Sequence, residues 1–292
     1  MKSLIIIKFI LITNIMTQSY DIVINDGRVM DPETGFDGIR NVGIRGDQIV
    51  EITTKSISGK VVVNAKGLVV SPGFIDLHAH GQTNEAHEYQ ARDGVTTALE
   101  MEGGVRFFRE WVDSKEGKTI VNFGGTVPHG FLRAMAMDAN QRISRKLQSQ
   151  VKKNGLSLEG LSGFEKSFAA ASYQSQSQKE EYRTQRMMQN YLDAGALGIG
   201  VPVGYYPGAT AGEIFRVYQF AAKQDVPIYT HTRGFGLPGL QEAMADAATS
   251  GASVHLVHAN SMSLGEIETT LSMVSDAQKN GLDITTEVYP YT

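Results

Sequence analysis

The chain contains no cysteine, which excludes a disulfide scaffold, a thiolate metal site and a cysteine nucleophile together. Any metal it binds must be held by histidine and carboxylate. A basic stripe is missing too. With 27 Lys and Arg against 31 Asp and Glu, the net charge is −4, which argues against a nucleic-acid partner and for a small-molecule one. The apolar run near the start is too short to span a bilayer, and no internal repeat is evident. What is present suits a full core: 292 residues, 41% of them hydrophobic, enough for one large domain or one plus a small one.

Residues 1–19 stand apart. A basic start (Met1-Lys2), the apolar stretch "LIIIKFILITNIM" and small residues at 17 and 19 read as a secretory signal peptide. The expected location is then periplasmic or secreted, with no membrane attachment after cleavage. Lys8 interrupts the run, and the alternative is a start codon misplaced upstream of a cytoplasmic protein. Residues 20–70 alternate short β-branched runs (Ile22 to Ile24, Val42 to Ile44, Ile49 to Ile52, Val61 to Val63, Val69-Val70) with Asp-Gly, Gly-Asp and Ser-Gly punctuation, the pattern of a small antiparallel β unit. From residue 71 to 292 strand-like runs alternate with helical stretches, the pattern of β/α units and a parallel sheet. Seven strands are expected there: Phe74 to His80, Thr96 to Glu102, Ile120 to Val127, Ala196 to Val203, Pro227 to Thr232, Ser253 to His258 and Ile284 to Tyr289. Ser177 and Glu180 form a capping-box pattern before a helix that Gly195 stops. Residues 141–176 read as helix plus surface loop.

"FIDLHAHGQ" places two histidines one residue apart at the end of an apolar run. On a strand, His78 and His80 share a face, roughly 6 to 7 Å apart, a spacing from which two nitrogens can converge on one cation. Two ordinary polar residues at a strand end would look the same. His231 in "IYTHTRG" and His258 in "VHLVHANS" tip the balance. Four of the seven histidines occupy the C-terminal ends of expected parallel strands, where the chemistry of β/α barrels sits. His87, in a polar segment, and His255, facing away from His258 by strand parity, fit structural roles. His129 in "TVPHGFLR" follows strand three, as a substrate-side candidate or a loop histidine.

"GVTTALEMEGG" puts Glu100 and Glu102 on one face of a strand otherwise built for burial. Buried carboxylates are costly unless paired or metal-bound. Glu102, at the strand end, is the better ligand and Glu100 the weaker. The alternative is an ion pair with Arg92, Arg106 or Arg109. Tyr289 and Tyr291, at the mouth of strand seven, either bind substrate or pack around Pro290.

"DGRVMDPETG", "SPGFIDLHAH", "DGVTTALEMEGG", "GALGIGVPVGYYPGAT", "YTHTRG", "HLVHANS" and "EVYPYT" follow the order seen in the amidohydrolase superfamily and most resemble its N-acyl-D-amino-acid deacylase branch. The resemblance runs from about Tyr20 to the last residue. It implies a metal-dependent α/β barrel of the TIM type, with a β-sandwich built from both chain ends. It also implies hydrolysis of an amide by a metal-bound water, with one or two divalent ions, zinc foremost. By position, His78 and His80 match the first-strand ligands, His231 and His258 those of strands five and six. Glu100 or Glu102 falls near where this branch has a cysteine or another bridging ligand. Two departures matter. No cysteine ligand exists, and strand four, "ALGIGVPVG", has no lysine to carboxylate, so a carboxylate must bridge and the preference for zinc should soften. Second, Pro72 to Thr292 is 221 residues, short of the roughly 250 typical of eight β/α units. The family's strand-eight aspartate, a metal ligand and general base, has no counterpart. The expectation is an incomplete barrel whose reading frame continues, with that Asp at the end of the next strand. Beside a linear-amide hydrolase stand a cyclic-amide hydrolase of the dihydroorotase or hydantoinase kind, which the missing lysine disfavours, and a non-catalytic metal-binding remnant.

Overall fold

A computed structural model describes residues 19–155, 169 and 171–289. The segment read as a signal peptide therefore lies almost wholly outside the described residues, and so does Tyr291. The chain divides into two compact units, one reaching to Gly73 and the other starting at Phe74.

The first unit is a five-stranded sheet: β1 (Tyr20–Asp31), β2 (Phe36–Arg45), β3 (Gln48–Thr53), β4 (Gly59–Asn64) and β5 (Val69–Val70). All five expected β-branched runs lie in these strands. The path is β3-β2-β1-β4, with β5 also paired to β1. β2 turns into β3 through Gly46 and Asp47, and Gly46 takes the left-handed φ of +59° that such a tight turn demands of one residue. The purely antiparallel expectation is corrected here: β4 and β5 run parallel to β1. Five residues, Thr54 to Ser58, carry the chain across the sheet instead of folding it back on β3.

In the second unit every strand is parallel to its neighbours: β6 (Phe74–Asp76), β7 (Val95–Glu100), β8 (Asn122–Gly125), β9 (Val127–Pro128), β10 (Ile199–Pro202), β11 (Ile228–His231), β12 (Val254–Leu256) and β13 (Ile284–Thr286). β8 and β9 are one strand in sequence, the third of the expected seven, interrupted at Thr126. Before the break it pairs with β7, and after it with β10. Thr126 makes the switch by donating its backbone N–H to the Glu100 carbonyl (3.0 Å) and its hydroxyl to the Met101 carbonyl (2.8 Å).

Helices alternate with the strands: α1 (Asn84–Arg92), α2 (Phe108–Lys115), α3 (His129–Ala136), α4 (Gln141–Asn154), α5 (Gln178–Leu192), α6 (Ala211–Gln224), α7 (Leu237–Ser250), α8 (Ala259–Ser263) and α9 (Ile267–Lys279). α5 starts with both halves of the Ser177/Glu180 capping box, satisfying two otherwise orphaned N–H groups. Its Met188 is fully buried, and Met187, Tyr191 and Leu192 pack on the same core. Val127, Ile199, Ile228, Leu256 and Ile284 fill the sheet side, each worth about 1.5–3 kcal/mol over leaving it exposed. Arg133 of α3 is buried in that core. Its Nε donates to Glu213 (2.6 Å), and its terminal nitrogens donate to the Ala171 and Gln174 carbonyls.

One feature of α7 works against the fold. Asp246 Oδ2 is buried without a hydrogen-bond partner. Burial, then the Glu242 charge one turn earlier, lifts its carboxyl to about 6, with Arg233 pulling the other way. A folded-state value above the ordinary 3.8 means that this group's stabilisation is complete only below about pH 4 and is lost as pH rises through about 6. Asp246→Asn should raise the melting temperature near pH 7.5 by a few degrees, on the order of 1–2 kcal/mol after solvent screening. It should gain nothing near pH 4. Thermal melts at the two pH values check this, and equal gains at both would disconnect the effect from the charge.

Candidate metal centre

Residues from four C-terminal strand ends converge around one carboxylate. His78 lies two residues past β6, because Asp76 Oδ1 accepts the His78 backbone N–H (2.9 Å) and turns the chain out of the strand. Glu100 ends β7, and Glu102 follows it. His231 ends β11. His258 follows β12 with a left-handed φ of +35°, a conformation costly for a residue with a Cβ and one that clusters at functional sites. Glu102 is 3% exposed. Its Oε2 lies 3.0 Å from both His78 Nε2 and His80 Nε2, and its Oε1 lies 2.7 Å from His231 Nδ1 and 3.3 Å from His258 Nε2. Its backbone is wedged against β10, where a Cβ on Gly200 would come within 2.2 Å of the Glu102 carbonyl oxygen, so only glycine fits there.

The electrostatics follow from this crowding. Burial would raise the Glu102 carboxyl, yet hydrogen bonds from His231, His258, His78 and His80 hold it far below its usual range. Burial opposes charge on His78, and the contacts with Glu102 and Glu287 overcome it, lifting the imidazole to about 9. Glu100 and then Glu102 lift His80 to about 10.

Two sets of three donors, His78/His80/Glu102 and Glu102/His231/His258, each keep their ligand atoms within 4.8 Å of one another. Within each set the ring nitrogens are close, 3.0 Å for His78–His80 and 3.1 Å for His231–His258. Nitrogens bonded at about 2.0–2.1 Å to one tetrahedral cation lie roughly 3.3 Å apart, so the donors fit two divalent ions sharing one carboxylate. The far nitrogens are also held: His78 Nδ1 by Glu287 (2.5 Å), His80 Nδ1 by Glu100 (2.8 Å) and His258 Nδ1 by the Ser261 hydroxyl (3.2 Å). Outer partners of this kind orient metal-binding imidazoles.

No protein-family model matches the chain. Over 289 residues it is 25% identical to N-acyl-D-glutamate deacylase of Alcaligenes xylosoxydans xylosoxydans, covering 94% of this chain and 58% of that protein. The chain is a homologue of that amidohydrolase. A solved N-acyl-D-glutamate deacylase from Bordetella bronchiseptica, in complex with zinc and a phosphonate inhibitor, superposes with a TM-score of 0.73 at 20% identity, over 94% of this chain and 59% of that one. A D-aminoacylase structure from a study of its binuclear metal centre gives 0.71 at 21%, over 93% and 59%. A shorter match, 39% identity over 90 residues, covers 27% of this chain and 21% of dihydroorotase from Streptococcus pyogenes serotype M3. The common fold is the α/β fold of the TIM-barrel amidohydrolases. The chain spans under three fifths of the length of the N-acyl-D-glutamate deacylase and D-aminoacylase chains.

Within this amidohydrolase fold, His78, His80, Glu102, His231 and His258 come together. Glu100 sits one step out, behind His80. Four strands stop two residues or more short of their expected ends, β6 at Asp76, β7 at Glu100, β12 at Leu256 and β13 at Thr286. The shared strand face for His78 and His80 is therefore corrected to a turn that brings them together. His129 departs from its expected place: it is 1% exposed, its Nδ1 lies 2.9 Å from the Tyr206 hydroxyl, and burial pushes its imidazole down to about 3. It is a core histidine. Tyr289 is 42% exposed. Sequence reasoning missed Glu287; His255, read as structural, is buried, with Nδ1 2.8 Å from the Thr285 hydroxyl and Nε2 3.4 Å from Glu287 Oε2. The signal was available in "TTEVYP", where a lone carboxylate follows a strand paired in register with His255. Tyr205 was also missed. It is 65% exposed, and its ring lies tilted at 49° with its centre 4.6 Å from that of His231.

Proposed function

We propose that the protein is a metal-dependent amidohydrolase that cleaves a linear amide of the N-acyl-D-amino-acid class. The observation behind this is the Glu102 carboxylate set between two histidine pairs, in a sequence with no cysteine to take its place. Zinc is the first choice among divalent ions, since imidazole and carboxylate both suit it. Held by His78, His80 and Glu102 and by Glu102, His231 and His258, divalent ions would supply activation of a water near neutral pH and polarisation of the acyl carbonyl. Glu102 holds the two histidine pairs in register. The His80 side chain, 58% exposed, marks the open side from which an acyl group approaches, and buried Glu102 forms the floor. Tyr289, with Tyr291, is assigned to the substrate. The proton carrier is assigned by the resemblance to an aspartate on a further strand, outside residues 1–292. Among the described residues no helix is long and apolar enough to cross a membrane, and the makeup of residues 1–19 favours export.

Full-length protein loaded with zinc should release D-amino acid from N-acetyl-D-glutamate or another N-acetyl-D-amino acid, and should leave dihydroorotate and hydantoin intact. Release from the rings alone would replace this reading with cyclic-amide hydrolysis. Zinc binding without any hydrolysis would leave a non-catalytic metal protein.

A further inference from the structure

Resting on that metal reading, we propose that Glu100 and Glu287 are positioning residues, and that they make the His78–His80 pair the higher-affinity of the two cation positions. Both inward nitrogens of that pair are Nε2, and each ring's Nδ1 meets a carboxylate, Glu287 at 2.5 Å and Glu100 at 2.8 Å. Neither carboxylate is loose. Glu100 Oε1 accepts the Gly103 N–H at 3.0 Å, and Glu287 Oε1 accepts the His258 N–H at 3.3 Å. Glu287 Oε2 also lies 3.4 Å from His255 Nε2. Their side chains are only 9% and 19% exposed.

The other pair is built differently. His258 Nδ1 meets a neutral hydroxyl, Ser261, at 3.2 Å, and His231 turns Nδ1 itself inward. A carboxylate on the far ring nitrogen fixes the tautomer, aims the opposite lone pair and raises its basicity. A hydroxyl brings no charge and makes a weaker bond. Glu102 is common to both positions, so among the described residues the difference between them is two anions, both against the strand-one histidines.

The experiment titrates zinc into metal-free, full-length protein against a chromophoric chelator and reads two dissociation constants. Glu287→Gln and Glu100→Gln should each weaken the tighter constant by about 10- to 100-fold and leave the weaker one unchanged. Ser261→Ala should leave the tighter one alone. Glutamine keeps an acceptor for the ring N–H, so melting of the metal-free variants controls for folding; should Glu287→Gln not fold, Glu100→Gln carries the test. With one equivalent of zinc, ring-nitrogen NMR should show His78 and His80 responding first. A tighter constant that responds to Ser261→Ala and to neither glutamine variant overturns the proposal, as does a first response at His231 and His258. Protein that takes up no zinc overturns the metal reading itself, whereas zinc bound in the reverse order overturns only this inference.

Discussion

Glu102→Gln in the full-length protein is expected to strip most of the bound metal and, with it, hydrolysis. The amide keeps the shape of the side chain but removes the negative charge and turns one oxygen into a donor. Glu102 faces imidazole nitrogens of two pairs, so both cation positions fail together. The loss should exceed the 10–100-fold typical of outer partners, and Glu100→Gln should do less. In the metal-free protein Glu102→Gln should also cost about 3–5 kcal/mol, the usual result of breaking a buried ionic contact. The sign with pH is fixed by its depressed carboxyl: this stabilisation is present above about pH 4.5 and disappears as pH falls below it. Elemental analysis of the purified variants, beside their melting temperatures, separates the roles. A variant that melts early but keeps its full metal complement would make Glu102 a structural anion only.

Arg133→Met should be the most damaging change away from the site. It leaves Glu213, 2% exposed, as a buried anion without its guanidinium, and it removes donors from the Ala171 and Gln174 carbonyls. A cost of about 3–5 kcal/mol, or roughly 10 °C in melting temperature, is expected. The pair Arg133→Met/Glu213→Leu should recover much of it, because the stranded charge is gone. Urea unfolding of both singles and the double measures the coupling. If the double is no better than Arg133→Met alone, the value of Arg133 lies in the two carbonyls that it caps.

The strands of the second unit were legible because each is a short apolar run between polar or glycine-rich punctuation, and burial of parallel strands leaves that mark. The break at Thr126 was not, since it depends on carbonyls of Glu100 and Met101 some 25 residues earlier in the chain. Glu102 stood out because a carboxylate in an apolar strand needs a partner. Glu287 did not, because it sits among polar neighbours where a charge looks ordinary. Parity failed where a side chain ended a strand early: the Asp76 carboxylate accepts the His78 N–H and turns the chain out of the strand. His129 looked like a loop residue because Tyr206, which buries it, lies 77 positions away.

The interruption at Thr126 has a mechanical consequence. It leaves a seam between two blocks of sheet, β6–β8 and β9–β13, and the proposed donors straddle it. His78, His80 and Glu102 follow strands of the first block, while His231 and His258 follow strands of the second. Glu102 thus acts as a clasp reaching across the joint, and the distance between the two histidine pairs becomes a gauge of how tightly the blocks are closed. Thr126 hydrogen-bonds the Glu100 and Met101 carbonyls and so holds the backbone just before Glu102, while its neighbours Gly125 and Val127 bond to the strand-four segment at Leu197 and Gly198. A threonine that touches none of the donors thus helps to set where the carboxylate between the two histidine pairs lies.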